Sequence, residues 1–167
     1  MLQIIPNSDT QFTAVRAIAF EVWPKTYGNI LNAAQIEYML DKMYSITSLQ
    51  EQANQKKHHF ILVQEGNETV GFAAYEHHVE ASEKTKIHKI YVLSSQQTKG
   101  TGKALVNFIA NEAKAKGDKA LFLNVNKYNS AIHFYEKTGF VIVKEEVIDI
   151  GNGYIMDDYV MEKTFKS

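Results

Sequence analysis

Residues 90–105 constrain the fold more than any other stretch. The apolar run Ile90-Tyr91-Val92-Leu93 passes through Ser94-Ser95-Gln96-Gln97-Thr98-Lys99-Gly100-Thr101-Gly102-Lys103 and straight into a helix-forming run that opens Ala104-Leu105. A strand that feeds a helix through glycines leaves the first helical amides without carbonyl partners. Together with the positive end of the helix dipole, these amides favour anionic oxygens. Gly100 and Gly102 let the backbone approach such oxygens closely. The segment reads as a pyrophosphate cradle built from the amides of Gln97 to Ala104, and the competing reading is an ordinary strand–turn–helix junction.

Two familiar glycine motifs fail here. A P-loop needs a glycine five residues before the Gly-Lys pair and a Ser or Thr after it, where this chain has Gln97 and Ala104. A dinucleotide fingerprint needs a third glycine at the place of Leu105. The pattern left is Gln-x-x-Gly-x-Gly behind a strand ending Tyr-Val-Leu. A second pattern follows downstream, Asn129-Ser130-Ala131-Ile132-His133-Phe134-Tyr135-Glu136-Lys137-Thr138-Gly139-Phe140, with one helix and the strand Leu121-Phe122-Leu123-Asn124-Val125 between the two. In order and spacing the chain resembles the GCN5-related N-acetyltransferases from roughly Val70 to its end. Within that family it is similar to the bacterial PaiA type, whose members include polyamine acetyltransferases, partly through Trp23-Pro24-Lys25-Thr26-Tyr27.

The resemblance implies one α/β domain over residues 1–167, with a mixed, mostly antiparallel sheet of about seven strands flanked by helices and a bulged, splayed central strand. It implies acetyl-CoA as donor and direct transfer to a primary amine in a ternary complex. The main chain of Tyr91, Val92 and Leu93 would pair with the pantetheine arm as an added strand does, and Gln97, Thr98, Lys99, Gly100, Thr101, Gly102, Lys103 and Ala104 would hold the pyrophosphate. Tyr135 falls where the family carries the tyrosine beside the CoA sulfur, and a phenol with a reference pKa of about 10 can protonate a thiolate. Asn124, Asn126 and Asn129 fall where the family uses amide side chains toward donor or acceptor. The usual signature asparagine would fall at Tyr128, one residue earlier than Asn129.

His88 occupies a strand position where the family places a Glu or His to take the acceptor's proton. The PaiA type usually carries Glu there. Imidazole titrates near neutrality, which suits a base, and Lys86 lies on the same face; a structural or surface histidine is the other reading. His58-His59 and His77-His78 suggest a metal site, but neighbours in a strand point to opposite faces, so neither pair converges easily on one ion and no metal is expected. Trp23, Tyr27, Tyr154, Asp157 and Asp158 are candidate acceptor-lining residues. Aromatics with carboxylates suit a small cationic amine, although the same residues also read as core and solvated surface. Open alternatives are a non-catalytic acyl-CoA sensor, a protein or peptide amine as acceptor, and transfer of a longer acyl group. The family also leaves a homodimer open.

Composition narrows the partners. With 18 Lys plus Arg against 19 Asp plus Glu, nothing points to nucleic acid or an anionic membrane. The absence of cysteine excludes disulfides, thiolate metal sites and an acyl-cysteine intermediate. No secretion signal or membrane-length apolar run is visible, so a cytoplasmic protein is expected. Hydrophobic residues make up 45% of the 167, enough for one sizeable core.

Periodicity predicts the elements. A strand covers Gln3–Ile5. A helix capped from Asn7, Ser8 or Asp9 carries Phe12, Val15, Ala19 and Val22 and stops near Trp23-Pro24. A helix over Ala33–Tyr44 has Ile36, Leu40 and Met43 on one face, and a polar helix follows at Ser48–Gln55. A hairpin turns at Gly66-Asn67 between Phe60–Val63 and Val70–Tyr75. A strand over Lys86–Leu93 leads to a helix from Gly102 to Lys116 that faces the sheet with Leu105, Phe108, Ile109 and Ala113 and closes at Gly117. After the helix at Ser130–Lys137, strands Phe140–Ile150 and Tyr154–Met161 join across Gly151-Asn152-Gly153.

Overall fold

The structure is a computed structural model, and it describes residues 2–6, 11–96 and 99–166. Seven strands form one sheet: β1 (Leu2–Pro6), β2 (His59–Glu65), β3 (Glu68–Glu76), β4 (Lys84–Val92), β5 (Ala120–Asn126), β6 (Val141–Gly151) and β7 (Tyr154–Thr164), in the order β1-β2-β3-β4-β5-β7-β6. β4 and β5 run parallel, while β1–β2, β2–β3, β5–β7 and β6–β7 are antiparallel. Five helices accompany the sheet: α1 (Phe12–Tyr27), α2 (Ala33–Tyr44), α3 (Ile46–Asn54), α4 (Thr101–Ala115) and α5 (Ala131–Lys137). The mixed α/β sheet expected from the sequence is present.

The chain groups into two compact units, Met1–Glu76 with His88–Ile109, and His77–Ile87 with Ala110–Ser167. In the first, α1 buries Phe12, Val15, Ile18, Ala19, Val22 and Trp23, and Phe12 meets Phe60 of β2 edge-on at 5.3 Å. α1 does not stop at Trp23-Pro24 but runs to Tyr27 with Pro24 inside it. Proline removes one late hydrogen bond, but its fixed φ suits the helix, and burial of Trp23 and Tyr27 holds the last turn in place. The predicted caps Asn7, Ser8 and Asp9 lie outside the described residues, and Gln11 makes no side-chain cap. α2 has the expected bounds, capped by Asn32 Oδ1 on the Gln35 amide at 2.7 Å. Its buried face is Ile36, Met39, Leu40 and Tyr44, and Met43 is only half-buried. On α4, Val106 and Ala110 are buried where Phe108 was expected.

The β2–β3 hairpin turns through Gly66 at φ +62°. One register shift interrupts it: Gln64 pairs with Thr69 but Val63 pairs with Gly71, so Val70 is the extra residue of a bulge. Beyond the bulge the ladder carries on to His59 opposite Tyr75. The Val70 carbonyl accepts the Leu93 amide at 2.9 Å. A Cβ on Gly71 would come within 3.0 Å of the Tyr91 carbonyl oxygen, so glycine is what permits the close approach of β3 and β4 there.

In the second unit the parallel ladder runs from Lys84 opposite Ala120 to Ile87 opposite Leu123. β5 buries Leu121, Leu123 and Val125, and Phe140, Val160 and Met161 join them. β6 and β7 meet in a two-residue turn, with Asn152 at φ 56° and Gly153 at φ +80° between the paired Gly151 and Tyr154. These are the dihedral signs that an Asn-Gly hairpin requires.

Candidate active site

β4 carries His88 toward β3. The β2–β3 register pairs His59 with Tyr75, so the residue before His59 and the residue after Tyr75 fall side by side. These are His58 and Glu76. His88 Nε2 lies 2.8 Å from Glu76 Oε1, and His58 Nε2 lies 3.6 Å from the same oxygen. The two imidazoles stack with centroids 3.8 Å apart and an interplanar angle of 17°. Glu76 was missed from the sequence altogether, and His58 entered only as half of an adjacent pair. A carboxylate accepting at Nε2 places the ring proton there and the lone pair on Nδ1.

The opposite face of β4 is packed. Lys89 is buried and donates to Gln52 Oε1 at 2.5 Å, with its ammonium over the rings of Tyr44 and Phe60. Of the acceptor candidates in this unit, Trp23 and Tyr27 are buried in an aromatic cluster with Tyr44 and Tyr91. The Tyr27 and Tyr91 hydroxyls are 3.0 Å apart. Burial pushes the Tyr44 phenol up.

Beyond Val92, a 3-10 turn at Ser94–Gln96 leads toward α4. Gln97 and Thr98 lie outside the described residues. Gly100 is left-handed at φ +78°, and a Cβ placed there would meet nothing within 4 Å, so the turn opens without steric obstruction beside it. The Ala104 amide closes the first turn on the Gly100 carbonyl at 3.0 Å, so the amides of Thr101, Gly102 and Lys103 belong to the helix end that has no intrahelical acceptor. The buried Thr101 hydroxyl donates to the Gln96 side chain at 3.1 Å and fixes the turn. Lys99 lies 3.8 Å from Glu65.

In the second unit Tyr135 is buried on α5, edge-on to Phe140 with centroids 5.6 Å apart. Asn129 Oδ1 accepts the Ala131 amide at 2.9 Å, and Asn126 Oδ1 accepts the Tyr128 amide at 3.0 Å; both carboxamides thus shape the turn into α5. Asn124 donates to Glu146 Oε1 at 2.8 Å and to Asp158 Oδ2 at 3.3 Å. Burial, then the charges of Glu146 and Asp157, push the Asp158 carboxyl up, against the Asn124 hydrogen bond and the Lys86 charge. Asp157 is ion-paired with Lys127 at 3.0 Å, and Lys127 also reaches Glu145. Tyr154 opens β7, half-buried. His77 and His78 both come near one carboxylate, Asp118. His78 turns off at φ 52°, which breaks the alternation, and its ring meets Asp118, while the His77 ring hydrogen-bonds Thr85 and stays 4.0 Å from that carboxylate.

Residues 29–162 match the family described as acetyltransferase (GNAT) domain. The ribosomal protein bS18-alanine N-acetyltransferase of Haemophilus influenzae is 34% identical over 76 residues, which is 46% of this chain and 50% of that protein. The chain thus spans half the length of that curated relative. The PaiA N-acetyltransferase of Thermoplasma acidophilum, solved in complex with coenzyme A, shares the fold with a TM-score of 0.83 at 24% identity over 99% of both chains. The ribosomal-protein-S18-alanine N-acetyltransferase of Escherichia coli does so with a TM-score of 0.72 at 18% identity, over 98% of this chain and 94% of that one. Among the described residues, no helix is long and apolar enough to cross a membrane.

Proposed function

The chain belongs to the acetyltransferase (GNAT) domain family, and from that premise we propose that it transfers acetyl from acetyl-CoA to a primary amine of a small cationic molecule, with His88 as proton acceptor. The observation that carries this reading is the His88–Glu76 hydrogen bond, which supplies from β3 the carboxylate that the PaiA-type strand would itself carry at position 88. Acetyl-CoA supplies an activated thioester when bound. The residues fit it: the amides of Thr101, Gly102 and Lys103 face out of the α4 end, and the open space beside Gly100 suits a bulky anion.

Glu76 holds the Nε2 proton and orients the ring, so that His88 Nδ1 takes the proton that the attacking amine must lose. Tyr135 Oη holds the proton for the departing thiolate. Tyr91, Val92 and Leu93 offer main chain to the pantetheine arm, with the Val92 amide toward the thioester oxygen. In the second unit, Glu146 and Asp158 around Asn124 form an acidic group of the kind that attracts a cation. Val141, Ile142, Val143 and Val147 are exposed on β6, which supports a homodimer; a monomer in analytical ultracentrifugation would remove that part.

One second reading has a specific observation behind it. The Haemophilus relative acts on a ribosomal-protein alanine, so a peptide amino terminus is the alternative acceptor. The test is free-thiol release with polyamines, amino acids, aminoglycosides and alanine-terminated peptides, alongside calorimetric titration of acetyl-CoA. Saturable release with polyamines alone supports the reading, and release with peptides alone replaces it. Tight acetyl-CoA binding with no release for any amine makes the domain a sensor. Tyr135→Phe should lower turnover by about 100-fold with little change in acetyl-CoA affinity; an unchanged rate removes Tyr135 from the chemistry.

A further inference from the structure

We propose that His58, Glu76 and His88 form a binding site for a divalent zinc-like metal ion, and that occupancy switches off the His88 base. The three donor atoms lie within 4.8 Å of one another. Both imidazoles present Nε2 to one carboxylate oxygen, at 2.8 and 3.6 Å. A hydrogen bond accounts for the first distance, but the second is too long to be one. Ligands about 2.0–2.1 Å from a tetrahedral ion stand roughly 3.3 Å apart, and the two observed separations bracket that edge. The stacked rings, 17° from parallel, keep both nitrogens beside that oxygen, and an ion lying in both ring planes requires one imidazole to swing out of the stack.

Two imidazoles and a carboxylate suit zinc and its neighbours rather than magnesium or calcium, which take oxygen ligands. Side-chain exposure rises from 9% at His58 through 19% at His88 to 27% at Glu76, so the site opens to water on the Glu76 side. Three protein ligands with a solvent-facing fourth position make an exchangeable site rather than a closed structural one. The three ligands come from three different segments, so no adjacent pair of histidines marks the site in the sequence.

Metal on Nε2 displaces the proton that Glu76 accepts there. The remaining ring proton of neutral His88 must then reside on Nδ1, the atom that would otherwise take the amine's proton, so a metal-loaded His88 cannot act as base. This inhibitory consequence rests on the proposed role of His88; the binding does not.

The test is calorimetric titration of the chelator-treated protein with Zn²⁺, and visible absorption with Co²⁺ as a spectroscopic substitute. One equivalent should bind wild type, with the intense bands of tetrahedral cobalt. His58→Ala and the shape-keeping His58→Gln should each weaken binding by more than about tenfold, since the loss of even an outer partner of a metal ligand costs that much. His133→Ala, an exposed histidine elsewhere, should bind as wild type does. Thermal melts confirm that each variant is folded. Failure of wild type to bind one equivalent, or equal binding by both folded His58 variants, overturns the site. Zinc inhibition of thiol release, measured against each protein's own zinc-free rate, should weaken in His58→Gln in step with affinity. Stoichiometric binding without inhibition keeps the metal site and removes the switch along with the base role. No binding in a wild type whose His88→Ala variant is slow removes the metal site alone.

Discussion

Two histidine–carboxylate clusters, one in each unit, use the same residue types for opposite ends. Around Asp118 the carboxylate is fully buried. Its Oδ2 accepts the Thr85 hydroxyl at 2.6 Å and the His78 amide at 3.0 Å, and His78 Nδ1 stands 2.5 Å from Oδ1. His77 is kept off it by hydrogen-bonding Thr85 instead, at 2.9 Å. Burial works to raise the Asp118 carboxyl, but the Thr85 and His78 hydrogen bonds and the His78 charge outweigh it and hold the group below the usual carboxylate range. The segment it ties down is strained, with His78, Glu80 and Ala81 all at positive φ, at a cost of about 1 kcal/mol or more each. Around Glu76 the carboxylate is partly exposed, and one oxygen faces two imidazoles. The difference teaches that pairing a histidine with a carboxylate does not define a site. A buried acceptor that ties down a hydroxyl and a backbone amide is a latch, whereas a partly exposed acceptor shared by two rings leaves room for the proton or metal exchange proposed above.

The contrast breaks most directly at Asp118. Asp118→Ala removes the acceptor from a buried hydroxyl and a backbone amide, and should cost about 3 kcal/mol in urea unfolding. A loss under about 1 kcal/mol, the size expected of a surface pair, would make the latch an ordinary contact. Next in size, Glu76→Gln and His88→Ala should each lower amine-dependent thiol release by about 100-fold, while shifting stability by no more than about 0.5 kcal/mol. If either melts like Asp118→Ala, the two clusters are alike and the distinction fails.

Acid sharpens the comparison. Because the folded-state pKa of Asp118 is depressed, its stabilisation is complete above the unfolded carboxylate value and is lost as pH falls through the lower folded value. Asp118→Asn should flatten the wild-type decline in that range, and a parallel decline would place the acid sensitivity elsewhere. The smallest effect is expected at Asp158. Its folded pKa is raised, so ionisation at neutral pH works against folding, and that burden lifts as pH falls through the folded value. Asp158→Asn should therefore leave neutral-pH stability equal or slightly higher, and a clear loss there would show that the carboxylate is needed as an acceptor.

Much of this was legible in the residues. Gln-x-x-Gly-x-Gly placed the start of α4 within one residue, and Asn152-Gly153 placed the last hairpin, because a positive φ at a tight turn is a local demand that few residues meet. α1 was misjudged at Pro24 because a local rule met a stronger tertiary one, the burial of Tyr27. The cluster that pairs with His88 was out of reach for a different reason. Counting outward from the Gly66-Asn67 turn without a bulge sets His58 opposite Tyr75; the extra residue at Val70 moves the pairing by one and brings in Glu76 instead. A one-residue slip changes which face a side chain takes, and its one local sign is Gly71, a glycine inside a strand pattern, which marks a bulge or a close approach without saying which.

The sequence by itself determined the strand and helix on either side of Gly100, the periodicities and the family, since these depend on short-range backbone preferences and on spacing along the chain. The tertiary structure alone decided that Glu76 would meet His88 and His58, and that His78 would meet Asp118. Those meetings depend on strand register, on a bulge and on one left-handed residue, each settled by the packing of segments far apart in the chain.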